Sequence, residues 1–286
     1  MNHSQQERML AGYDQAMGEA VQRAYYGYSD FYNYGYWADG ATSQKEASEA
    51  LVERILSFIP EKMGNILDVA CGLGATTRQV INYYEPENVT GINLSEVQLE
   101  KARHNAPGAQ FLYMDAVHLQ FPEASFDNVI CVESAHHFKT RDIFYKQAFR
   151  VLKPGGRLVT SDIGGGPKWL WQANHLRDGE DLQKHLEDAG FDDVQVQDVT
   201  EDTWGGFCRN LRRWPSEARR RGEIDRKQFV FVWIYARLYP PVTGIGVKKY
   251  FLTSARKPLP AEAEIYLQDP TPGAGDEPEG TPEVKQ

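Results

Sequence analysis

Residues 67–74 read Leu67-Asp68-Val69-Ala70-Cys71-Gly72-Leu73-Gly74, an apolar run that stops in a pair of glycines and is followed by Ala75-Thr76-Thr77. The order is strand, tight turn, helix, which is where an open α/β sheet meets a nucleotide-type ligand. Gly72 and Gly74 let the backbone turn sharply and come close to that ligand. Two features separate the turn from a dinucleotide site. The third glycine of GxGxxG is missing, with Thr76 or Thr77 in its region, and Asp68 stands just before the loop, where nicotinamide enzymes usually carry no acid.

Working outward, short apolar runs alternate with segments of helical period. Strands are expected at 65–71, 88–93, 110–114, 126–132 and 157–163, and helices near 76–84, 96–105 and 142–152. Ser95 with Gln98 three positions on fits a capping box, and Pro154-Gly155-Gly156 after Leu152 is a helix stop. The run Gly164-Gly165-Gly166-Pro167 breaks structure. A helix at 179–189 then leads into an alternating strand at 191–199, and a final strand is expected at 247–255. Between these last two, residues 207–239 have a helical pattern with Arg-rich and aromatic faces, so they read as a helical insertion. Past Lys257 the chain is rich in Pro, Gly and Glu, and the expectation is a disordered acidic tail over 257–286.

The 286-residue chain is 41% hydrophobic and 25% charged, which suits a soluble globular enzyme and leaves fibrous and disordered classes unsupported. No apolar run reaches the roughly 18 residues of a membrane span, and the polar start MNHSQQERML lacks a signal peptide, so a cytoplasmic location is expected. Cys71, Cys131 and Cys208 form no CxxC pair and are read as free thiols. A net charge of −9 argues against nucleic acid as partner. The Arg209, Arg212, Arg213, Arg219, Arg220 and Arg221 cluster is read as the solvated face of a helix. In the N-terminal segment, Tyr25, Tyr26, Tyr28, Phe31, Tyr32, Tyr34, Tyr36 and Trp37 crowd together. Rings with hydroxyl or indole N–H handles suit a half-wet surface closing over a ligand. Packing of an N-terminal helix against the sheet is the other reading.

From 66 to 163 and beyond, this order of elements resembles the class I S-adenosylmethionine-dependent methyltransferases. The resemblance rests on LDVACGLG, on Asn93 in GINLS, on Met114-Asp115-Ala116, on Phe126-Asp127-Asn128-Val129-Ile130 and on the segment VLKPGGRL at 151–158. It implies a Rossmann-like, mostly parallel seven-stranded sheet, with an N-terminal helical lid over 1–48, a methyltransferase domain over 49–256 and the insertion at about 207–240. It also implies that Asp68, Ala70, Gly72 and Gly74 lie at the amino-acid end of S-adenosylmethionine and that Asp115 and Ala116 meet the adenine. Asn93, with Leu94 and Gln98 beside it, stands where most such enzymes place an acid against the ribose hydroxyls; an amide both accepts from and donates to a diol. The GINLS segment resembles the branch that holds sterol, tocopherol and cyclopropane-fatty-acid methyltransferases.

A sulfonium cofactor carries its own activation, so for a hydroxyl acceptor the protein must align the nucleophile and remove a proton. Glu133-Ser134-Ala135-His136-His137 ends the fourth strand on the edge that carries the glycine loop. Histidine accepts a proton near neutrality. The run resembles the ESxHH segment of small-molecule O-methyltransferases, including those that modify sugars on natural products. That resemblance implies His137 as general base with His136 beside it, Asp162 in support, and Glu133 near both cofactor and reaction. Adjacent histidines suit one metal ion poorly, and no metal is expected. The expected reaction is O-methylation of a small secondary metabolite, with or without an attached sugar, with Tyr25, Tyr28, Tyr34, Tyr36 and Trp37 as candidate acceptor contacts. C- or N-methylation of a terpenoid, lipid or amine is the alternative, a cofactor-binding subunit without catalysis a further one, and a homodimer the candidate assembly.

Overall fold

The computed structural model describes residues 3–171, 174–245 and 247–260. Seven strands form one sheet in the order β3-β2-β1-β4-β5-β7-β6. They are β1 (Ile66–Val69), β2 (Val89–Asn93), β3 (Gln110–Tyr113), β4 (Phe126–Val132), β5 (Leu152–Gly164), β6 (Asp192–Asp198) and β7 (Lys249–Arg256). β1 to β5 pair in parallel, and β7 runs antiparallel between β5 and β6. Every residue of β1 and β2 is buried. Strands covered by helices on both faces need apolar residues at nearly every position, which is why these segments read as runs and not as alternations.

The helices are α1 (His3–Gly18), α2 (Ala20–Tyr25), α3 (Gln44–Leu56), α4 (Ala75–Val80), α5 (Glu96–Asn105), α6 (Arg141–Val151), α7 (Lys168–Trp171), α8 (Gly179–Glu187), α9 (Gly206–Arg221) and α10 (Arg226–Thr243). One core lies under α6 and α8, around Phe144, Tyr145, Leu182 and Phe251. The other lies under α3, around Leu51, Ile55, Val159 and Tyr250. A third cluster has no strand in it: Tyr25, Tyr26, Phe207, Leu211, Trp214 and Ala236 join α2 to α9 and α10. The expected insertion therefore packs on the N-terminal segment and roofs the sheet edge.

Several boundaries differ from the expected ones. α3, capped by the Ser43 hydroxyl accepting the Glu46 N–H, runs through position 49. α4 ends at Val80, four residues short of 84. α6 stops at Val151, but Pro154-Gly155-Gly156 then lies inside β5 instead of before it: Gly155 N–H donates to Lys257 O at 2.8 Å and Lys257 N–H to Gly156 O at 2.9 Å. Those bonds carry described structure into the first residues assigned to the acidic tail, and 261–286 lie outside the described residues. Among the described residues, no helix is long and apolar enough to cross a membrane.

Candidate active site

At the C-terminal ends of β1 and β4 the chain breaks from the sheet in left-handed turns. Ala70, Gly72 and Gly74 have φ of 59°, 55° and 79°. A Cβ on Gly72 would meet nothing within 4 Å, because that glycine faces a cavity, whereas one on Gly74 would come within 2.8 Å of Ala102 Cα. Gly74 thus seats α4 against α5, and Gly72 floors the site. Asp68 is buried under the loop, accepts the Thr77 hydroxyl at 2.6 Å, and is pushed up to about 7 by burial, which that hydrogen bond opposes.

Asn93, at the end of β2, accepts the Leu94 N–H at 2.8 Å and donates to Gln98 Oε1 at 2.8 Å. Gln98 in turn donates to Asp14 at 2.6 Å, and Ser95 Oγ donates to the same carboxylate at 2.9 Å. Asp115 lies in the turn two residues past β3, accepting the Val117 N–H at 3.1 Å. Asp68, Ala70, Gly72, Asn93, Leu94, Gln98, Asp115, Ala116 and Glu133 all line one cavity of about 860 Å³.

The ESAHH segment turns out of β4 at Glu133, whose φ is 48°. Glu133 Oε1 accepts the Tyr250 hydroxyl at 2.5 Å and the Tyr34 N–H at 2.8 Å. Burial lifts this carboxyl to about 8 against those two hydrogen bonds. His136 and His137 lie on a short 3₁₀ turn and both line the cavity.

The two histidines have different partners. Asp162 Oδ1 takes the Nδ1 side of His136 at 3.0 Å, so Asp162 supports His136, not His137 as expected. Asp162 Oδ2 accepts Arg141 Nε at 2.7 Å, and Arg141 Nη2 reaches Ile163 O at 2.7 Å. Burial opposes ionisation of Asp162, but Arg141 and the His136 hydrogen bond outweigh it and hold the carboxyl well below the usual range. Burial lowers the pKa of His136 despite the Asp162 hydrogen bond that raises it, which favours the neutral ring. With Nδ1–H given to Asp162, Nε2 carries the lone pair. Asn174 fixes the turn by donating to the backbone oxygens of His136 and Phe138 at 3.1 and 2.6 Å.

His137 Nε2 instead shares a 2.6 Å hydrogen bond with the Tyr13 hydroxyl, with the rings edge to face. Burial, then the neighbouring His136, holds His137 well below its ordinary pKa. α1 is therefore tied across the cavity at two points, Tyr13 on the β4 turn and Asp14 on the start of α5. Tyr13, Asp14, Arg141, Asn174 and Tyr250 were not picked out from the sequence. A readable signal existed for α1, where Met9, Leu10, Tyr13, Ala16 and Met17 recur at helical spacing and line the cavity. Another existed for Arg141, a cation in the first turn of α6, where the helix dipole disfavours it unless an anion is near.

The tyrosine-rich segment divides. Tyr25 and Tyr34 line the cavity, as do Tyr26 and Tyr32. Tyr28, Tyr36 and Trp37 do not. Tyr28 is 60% exposed with the Arg23 guanidinium over its ring. Tyr36 packs on the α3 core, and the Trp37 indole lies against Gly206 while its N–H donates to Tyr34 O at 3.0 Å. In the basic cluster, Arg213 pairs with Glu217 at 3.0 Å, Arg221 with Glu223 at 2.6 Å, and Arg209 with Glu201, all at the surface.

The residues present fit S-adenosylmethionine, whose sulfonium and ammonium outweigh its carboxylate. Glu19, Asp30, Asp68, Asp115 and Glu133 line the cavity, and among its described lining residues there is no Lys or Arg. Its volume lies in the upper part of the roughly 300–1,000 Å³ of small-molecule sites.

A family model described as a methyltransferase domain matches residues 67–160. Over 79% of this chain and 89% of the relative, the sequence is 32% identical to 27-O-demethylrifamycin SV methyltransferase of Amycolatopsis mediterranei. The chain belongs to the class I S-adenosylmethionine-dependent methyltransferases. This methyltransferase is also 32% identical to erythromycin 3''-O-methyltransferase of Saccharopolyspora erythraea, over 80% of this chain and 84% of that one. Among solved structures it resembles the [4+2]-cyclase SpnF, with a TM-score of 0.65 and 25% identity over 87% of this chain and 95% of that one. A cyclase on this fold shows that the reaction is decided by side chains and not by the sheet.

Proposed function

We propose that this methyltransferase methylates a hydroxyl of a small natural product, on its core or on an attached sugar, with His136 as general base. The observation that carries the reading is the hydrogen bond from His136 to Asp162, itself paired to a buried Arg141. Asp68, Gly72, Asn93, Asp115 and Ala116 would hold the cofactor, which supplies an electrophilic methyl on sulfur. Nε2 of His136 takes the proton of the acceptor hydroxyl as the oxygen gains the methyl. Asp162 keeps Nδ1–H in place and stabilises the imidazolium that forms, the role of the carboxylate in catalytic triads. Arg141 keeps Asp162 ionised. α1, fastened by Tyr13 and Asp14, excludes water from the closed site.

The natural-product O-methyltransferases among the relatives support an oxygen acceptor. Carbon methylation is favoured by one observation, the buried Glu133 among Tyr13, Tyr26, Tyr34 and Tyr239, a setting able to stabilise a cation. Incubation with methyl-labelled cofactor and a panel of hydroxylated polyketides and glycosides separates the two. The proposal expects a gain of about 14 Da, the transferred methyl, located on oxygen by fragmentation. Label on carbon or nitrogen would overturn it.

A further inference from the structure

The half of the cavity away from the sheet is walled by the N-terminal segment and the insertion. Its wall includes Met17, Val21, Tyr26, Leu211, Trp214 and Val232, and Phe231 and Tyr235 stand at its mouth, 71% and 40% exposed. The rings interlock edge to face, Tyr25 on Trp214 at 5.3 Å and Tyr34 on Phe207 at 4.9 Å, so the wall is built and not a loose collapse. The polar groups are equally one-sided. Glu19, Asp30 and Glu133 reach the cavity, and no Lys or Arg does among its described lining residues.

The same helices carry cations, all turned elsewhere. Arg23 covers the exposed Tyr28 ring, Arg213 pairs with Glu217 and donates to Thr42 O, and Arg237 lies 3.5 Å over the Trp233 ring. Arg226 and Lys227 border a surface depression with Val230 and Ile234 that meets the cavity only at Phe231, and neither cation lines the cavity itself. An anion entering this half would lose its water, find no Lys or Arg among the described lining residues, and sit near the acidic side chains Glu19 and Asp30.

We propose that this half of the cavity selects an acceptor that is uncharged or amine-bearing and largely apolar, and rejects carboxylates and phosphate esters. The inference rests on the reading of this space as the acceptor site. It predicts that any reaction supplying the acceptor leaves it free of phosphate and carboxylate.

The test uses two probes that share a skeleton, neutral N-phenyl-1-naphthylamine and anionic 8-anilinonaphthalene-1-sulfonate, titrated by fluorescence into the full chain saturated with S-adenosylhomocysteine. The neutral probe should bind saturably and at least ten-fold tighter, about 1.4 kcal/mol. Tyr235→Lys, at the half-exposed mouth, should narrow that ratio several-fold by giving the sulfonate a partner. Equal binding of the two probes, no saturable binding of the neutral one, or an unchanged ratio in Tyr235→Lys would overturn the inference. The probe ratio does not depend on His136, so a preserved ratio with no oxygen-methylated product would overturn the proposed reaction and leave the charge selection standing.

Discussion

Tyr13 and His137, 124 positions apart, share a 2.6 Å hydrogen bond that closes α1 onto the turn after β4. Nε2 of His137 is thereby engaged with Tyr13, and the adjacent His136 holds Asp162 through Nδ1. Two neighbouring histidines so hold different partners, and the proposed function gives them different tasks, closure and proton transfer.

Removing the hydroxyl should loosen closure without touching the base. A neutral hydrogen bond contributes about 1 kcal/mol, roughly five-fold. Tyr13→Phe is expected to raise the acceptor KM by about that factor and leave the single-turnover rate within about two-fold. Steady-state and quenched-flow measurements on one acceptor check the split; an equal fall in both parameters would place Tyr13 in the chemistry.

Glu133 gives a pH dependence of definite sign. Its folded pKa of about 8 lies above the ordinary value of about 4.3, so the folded state holds the proton more tightly. The stability this confers is full below pH ~4.3 and is lost as pH rises through about 8. Glu133→Gln removes the dependence. Between pH 6 and pH 9, unfolding in urea should show the wild type losing about 3 kcal/mol relative to the variant. Parallel pH profiles would count against the assignment.

The Arg141–Asp162 pair behaves in the opposite sense. Asp162 is held below its ordinary range, so its contribution is fully present above about pH 4 and lost as pH falls further. Arg141→Met strands a buried carboxylate and should cost about 3–5 kcal/mol at neutral pH. It should also move the acid limb of activity, because an Asp162 that takes up a proton no longer orients His136. Denaturant unfolding and a pH–rate profile read the two effects separately.

How much of this was legible before the structure depends on whether the cause is local. α5 begins at Glu96 because Ser95 caps it, and the expected range of 96–105 is the observed one. β4 likewise runs 126–132 as expected, since an apolar strand buried on both faces has no competing period. Asp68, Asn93 and Asp115 converge because each lies at or just past the C-terminal end of a parallel strand of the same sheet. Which histidine meets Asp162 was not legible: β4 and β5 bring both near, and the choice is made by the 3₁₀ turn that Asn174 clamps. Nor was the tyrosine segment, where side chains one or two positions apart face cavity, core and solvent because the chain there follows no regular period. Tyr13 and Asp14 act through contacts more than 80 residues away, which composition does not encode.

Under the proposed function His136 removes the acceptor proton. The most direct measurement is the single-turnover rate of methyl transfer against pH for wild type, His136→Ala and His137→Ala, with cofactor binding followed by S-adenosylhomocysteine titration. His136→Ala is expected to lose about 10²–10⁴ in rate at neutral pH with S-adenosylhomocysteine affinity retained. The wild-type acid limb should lie below the ordinary histidine pKa of about 6.5 and disappear in that variant. A fall of only a few-fold in His136→Ala, or an acid limb that survives there and vanishes in His137→Ala, would contradict that role of His136.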